Sequence, residues 1–130
     1  MRPRKSPFRR APRTSLAELH VALILLRYRT GKTQGEVARE ADIAKSSLGA
    51  HERSRMTQGT LDTLESLLTY YEADFHLCHR LILQARSHLG DLRKIRGPKM
   101  VHRATAQAIW TEIDRQPDTS WIQSQPPPPA

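Results

Sequence analysis

The chain has one cysteine, few aromatic residues and no apolar run longer than VALILL at positions 21 to 26, and each scarcity removes a class of protein. A lone Cys78 supplies neither a disulfide framework nor a cysteine zinc site, and it fits a reducing cytoplasm. Six apolar residues fall far short of the roughly 18 or more that a membrane span needs, and no signal-peptide cleavage pattern follows the basic N-terminus. Aromatics at 5% beside hydrophobics at 38% suit a small aliphatic core rather than a large enzyme cavity. A Gly-rich phosphate loop is missing, as are paired carboxylates or a nucleophile set beside a base. The nine prolines, four of them in the C-terminal PPPPA, leave room for one small domain with tails in 130 residues.

Positive charge is what the chain has in excess. The net charge is +8, and it is segregated. Residues 1 to 14, MRPRKSPFRRAPRT, hold six Arg or Lys and no acid; positions 15 to 88 balance nine basic against nine acidic residues; RKIRGPKMVHR, 93 to 103, adds five cations without an acid. Such a distribution points to a polyanionic partner. Basic flanks hold phosphates without reading sequence, so any reading belongs to the neutral middle.

Three prolines and no apolar periodicity make residues 1 to 14 a disordered arm by expectation. Ser15 with Glu18 forms a capping box that opens a helix with Leu16, Leu19, Leu23 and Leu26 on one face. Val21, Leu25 and Tyr28 form a second apolar stripe on the opposite face, which requires a cover. Thr33 with Glu36 caps a second helix carrying Val37 and Ala38 inward. After a break at Asp42 and Ile43, residues 44 to 52 make a third with Leu48 inward. Thr60 caps a fourth through Leu61, Leu64, Leu67 and Leu68. Asp74 caps a fifth whose stripe is Phe75, Cys78, Leu81, Ile82 and Ala85, ended by Gly90. Ala106, Ile109, Trp110 and Ile113 make one more amphipathic helix, and a loose Pro-rich tail follows Gln116. The second and third helices are too short to persist alone, so they must pack on the others.

The segments GKTQGEVAREADIAKSSLGAHE and TLDTLESLLTYYEADF resemble the lambda-repressor-like, xenobiotic-response-element family of helix-turn-helix regulators, over about residues 16 to 83. The departures are Asp42 where the turn usually has Gly, His51 in place of an apolar residue, Ser54 in place of a helix-ending Gly, and a loop, RSRMTQG, about one residue longer. The resemblance implies an all-α fold: a five-helix bundle at 15 to 90, preceded by the arm and followed by a basic linker and amphipathic helix at 91 to 116 and a tail at 117 to 130. It further implies a repressor or autorepressor that binds double-stranded DNA as a homodimer. Lys45, Ser46 and Ser47 would contact bases, with Ala50 on a thymine methyl. Gln34, with Thr33, would hold phosphate, and Arg53 and Arg55 would flank the backbone. Arg2, Arg4, Lys5, Arg9 and Arg10 of the arm would lie along phosphates or in a minor groove.

The expected activity is binding, with no catalysis, no cofactor and no metal. His76 and His79 are spaced to clip a metal beside Cys78, but Cys78 falls on the apolar stripe. His51 reads as a packed imidazole, and Trp110 as packing rather than a base-stacking platform, the role also weighed for Trp121. Val21, Leu25 and Tyr28, with Ile109, Trp110 and Ile113, either make the dimer interface or pack on each other. Two rivals stand beside the regulator: an antitoxin or adaptor whose C-terminal segment holds a protein partner, and a nonspecific nucleoid or RNA binder working through the basic flanks.

Overall fold

A computed structural model describes residues 15–53 and 61–116. The arm with Arg2, Arg4, Lys5, Arg9 and Arg10, the loop with Ser54, Arg55 and Thr60, and the tail with Trp121 lie outside the described residues. Those described are helical, with no strand among them. The helices are α1 (Leu16–Thr30), α2 (Gln34–Glu40), α3 (Lys45–Glu52), α4 (Leu61–Tyr70), α5 (Phe75–Leu89) and α6 (Arg103–Arg115), with short 3-10 turns at Leu92–Lys94 and Pro98–Met100.

Helix α1 is the axis of the molecule. Every residue from Leu19 to Leu26 is buried, His20 included, so both apolar stripes are covered over that span. A helix that is apolar all round needs neighbours on every side; α3, α5 and α6 supply them. Residues on either side of position 90 contribute to one apolar cluster, with Leu81, Ile82 and Ala85 from α5 meeting Ile109, Trp110 and Ile113 from α6 around α1. Trp110 Nε1 donates to Leu25 O at 2.7 Å, and the hydroxyl of Tyr28 donates to Pro98 O at 2.8 Å. The two stripes left open by sequence therefore face each other within the protomer.

Capping follows the side chains that the sequence offers. The Ser15 amide donates to Glu18 Oε1 at 3.2 Å, and Thr33 Oγ1 accepts from the Glu36 amide at 3.2 Å. Asp74 Oδ1 accepts from the Leu77 amide at 2.8 Å. Arg86 then fastens Glu18 to α5 through bonds of 2.7 and 2.8 Å. Arg80 donates to the carbonyls of Ile113 and Gln116 at the end of α6, where a cation meets the negative end of the helix dipole.

Three apolar residues expected on core stripes are exposed instead: Leu16 at 69%, Leu61 at 83% and Phe75 at 64%. Each is the first residue of its helix. A side chain there tilts back toward the N-terminus and so overhangs the end of the bundle.

Candidate nucleic-acid interface

The pair α2 and α3 is joined by Ala41 to Ala44, and the turn works because Asp42 adopts φ 58°. Asp is one of the few side chains that tolerate this left-handed conformation. The Ile43 amide closes the turn onto Ala38 O at 2.9 Å. Val37 and Leu48 meet Leu67 of α4 in a second, smaller core that ties the pair to the body. A polar tie joins the same elements: Tyr70 of α4 donates to Glu40 at 2.7 Å, and Lys32 reaches both Glu40 and Tyr70. Lys32, hydrogen-bonded to it, holds the Glu40 carboxyl below the usual carboxylate range.

The inner side of α3 is locked by a charge pair. Arg27 of α1 donates from Nε to Glu52 Oε2 at 2.7 Å and from Nη2 to Glu52 Oε1 at 3.0 Å. Both side chains are buried, at 9% and 1% exposure. Burial opposes the guanidinium charge, but the hydrogen bonds and charge of Glu52 outweigh it and hold the proton more firmly than usual. Gln34 Nε2 adds a third bond to Glu52, at 2.9 Å, so one carboxylate joins α1, α2 and α3. His51, also buried, bonds through Nδ1 to Ser47 O at 2.8 Å, while its Nε2 has no hydrogen-bond partner among the described residues.

The first turn of α3 is open. Lys45 and Ser46 are exposed and Ser47 is half-buried, all in the first turn. Lys45 has no ion-pair partner among the described residues. Ala44 is the N-cap and makes no side-chain bond there, so neither serine is spent on capping. Ala50, expected to touch a thymine methyl, follows Ser46 by four residues on the same helix face but is only 6% exposed, so its methyl is covered rather than offered to a base. The amide of Gln34, expected on a phosphate, is already donated to Glu52. Thr33 is exposed, with its hydroxyl engaged as a cap.

Arg53 follows α3 and turns back along it. Its guanidinium crosses Gly49 so closely that a Cβ there would stand 3.1 Å from Nη1. Ser46 and Arg53 are seven residues apart, nearly two full turns, and so share a face roughly 10 Å in length. Beside Arg53 runs the linker: Gly97 lies 3.5 Å, measured from a Cβ built on it, from Arg53 Cγ, and Arg53, Arg96 and Lys99 line one cleft.

Two features of this surface were not read from sequence. The Arg27–Glu52 pair was missed although a signal existed, since Arg27 is a charge adjoining the otherwise apolar run at 21 to 26. The approach of 96 to 99 to Arg53 has no local signal, because 43 residues separate Arg53 from Arg96. Among the described residues, no three His, Cys, Asp or Glu side chains converge as metal ligands, and no helix is long and apolar enough to cross a membrane. Set against known protein families, characterised proteins and solved structures, the chain matches none.

Proposed function

We propose that the chain is a sequence-specific double-stranded DNA-binding regulator of the lambda-repressor-like helix-turn-helix type, acting as a repressor and reading the major groove with α3. One observation carries the reading: α3 is fixed from within by the Arg27–Glu52 pair while Lys45 and Ser46 stand exposed on its first turn. A major groove about 12 Å wide admits one such helix. Specific recognition requires a rigidly held polar edge, because a side chain that is free to wander loses rotamer entropy on every base contact. Lys45 would donate to guanine O6 or N7, and Ser46 and Ser47 to base edges; Arg53 would hold the adjoining phosphate.

The dimer that goes with this family is not served by the stripe of Val21, Leu25 and Tyr28, which is used up inside the protomer. Pairing on a palindrome would need another face. Selection from a random duplex library tests the whole reading. Enrichment of a defined site is the expected result, and its footprint reports stoichiometry: one half-site for a protomer alone, or two about 34 Å apart for a pair. Lys45→Ala should weaken the enriched site by about 1–3 kcal/mol with less effect on random DNA. No enrichment would reject the proposal, and equal loss on both DNAs would reduce Lys45 to a phosphate contact.

A further inference from the structure

The linker between α5 and α6 does more than connect them. Leu92, Ile95 and Val101 are buried, and side-chain bonds from α1 pin its backbone at two further points: His20 Nε2 to Ile95 O at 2.7 Å and the Tyr28 hydroxyl to Pro98 O at 2.8 Å. Arg96 falls between these two bonds and Lys99 directly follows the second; both are exposed. The fixed backbone brings both to Arg53, across a cleft of about 430 Å³ that Gln34, Gly97 and Pro98 also line and no acid does. Arg53, Arg96 and Lys99 have no ion-pair partner among the described residues. Three cations held together without a counter-charge repel one another, a cost that an anion seated among them removes.

We propose that this cleft seats a backbone phosphate of the DNA that α3 reads, so that the C-terminal segment belongs to the nucleic-acid surface. The inference rests on the proposed function for the identity of the polyanion. Charge complementarity and continuity with α3 favour DNA: Arg53 lines the cleft and shares a helix face with Ser46. Because the linker is anchored to α1, docking of α6 sets the position of the clamp relative to the reading turn. A phosphate there fixes register and contributes affinity on any sequence.

The test compares wild type, Arg96→Gln/Lys99→Gln and Lys45→Ala on the selected duplex and on random duplex across a salt series, with thermal melts to confirm folding. Gly97→Glu is a second way to spoil the cleft; a Cβ at 97 makes only ordinary contact with Arg53, and the carboxylate reverses the local charge. Both cleft variants should lower affinity for the two duplexes alike, and the double variant should flatten the salt slope by about 0.9 for each phosphate released. Preference between the duplexes should persist. Unchanged affinity and slope in both, with Lys45→Ala still losing preference, would overturn the cleft and leave the regulator reading intact. A flattened slope in a protein that selects no duplex would support the cleft and overturn the regulator reading. A wild-type protein that binds no duplex at all would overturn both.

Discussion

The indole of Trp110 donates to the main-chain carbonyl of Leu25, joining a helix near the end of the described chain to the middle of its first helix. A carbonyl oxygen has two lone pairs, so this bond need not displace the one inside α1. Trp110 is also covered by the Arg29 guanidinium, 4.2 Å from its ring centre, and Arg29 in turn meets Asp114 at 3.2 Å. Helix α6 is thus part of the core, and its loss should be global. Trp110→Ala should cost about 3–5 kcal/mol in denaturant unfolding. Trp110→Phe should cost about 1 kcal/mol, the worth of one hydrogen bond. Leu25→Asp should fail to fold, because the residue is fully buried. A folded, merely monomeric Leu25→Asp protein would show that the stripe lies between subunits.

The Arg27–Glu52 pair should behave as a buried one. Arg27→Met or Glu52→Leu leaves one buried charge unmatched, and each should lower stability by about 3–5 kcal/mol. The double variant Arg27→Met/Glu52→Leu should recover much of that loss, since no buried charge remains, although Gln34 then loses its acceptor. Denaturant midpoints of the four proteins form the cycle. Single-variant losses below about 1 kcal/mol would mean that the pair is worth no more than one on the surface.

Acid should weaken the fold through His20. Burial holds this imidazole below its ordinary pKa of 6.5, against hydrogen bonding to Ile95 that pushes the other way. Donation from Nε2 to Ile95 O fits the neutral ring, with Nδ1 left without a partner among the described residues. Above pH 6.5 folded and unfolded chains are both neutral at this site and its contribution is complete. As the pH falls below that value the unfolded chain takes up a proton that the folded chain resists, and stability drops until the folded pKa is passed. The melting temperature should therefore decline from about pH 7 to about pH 5.5, a window above the titration of the carboxylates. His20→Gln keeps a donor without the charge and should flatten the decline; an equal decline in that variant would assign it to other groups.

Cys78 should be inert in the folded protein. It is 2% exposed, and burial pushes its thiol up to about 11. A thiolate is the reactive form, so a thiol reagent at neutral pH should label the chain only after denaturant is added. Rapid stoichiometric labelling of the native protein would place Cys78 outside the core.

Much of this molecule was legible in its sequence, for a reason that differs from element to element. The boxes Ser15–Glu18 and Thr33–Glu36 and the cap at Asp74 are contacts between residues three apart, so the chain itself announces them. The open turn at Lys45 and Ser46 was legible in the same way, as polar residues following a break. Phe75, Leu16 and Leu61 misled because periodicity assigns a face but not the place where a bundle ends. Ala50 misled because it shares a helix face with Ser46 and yet is covered, and periodicity assigns a face without showing which part of it is buried.

The sequence by itself determined the number and approximate bounds of the helices, the need to cover two faces of α1, and the division of charge into a neutral middle and basic flanks. These are properties of residue type and short spacing. Tertiary structure alone decided what covers the second face of α1, which charge answers Arg27, and which cations stand beside Arg53. Each depends on segments tens of residues apart, and identical local patterns are compatible with several ways of bringing them together. Packing removes that freedom: once α6 is buried against α1, the backbone at Ile95 and Pro98 is pinned, and Arg96 and Lys99 are fixed near α3 as a consequence.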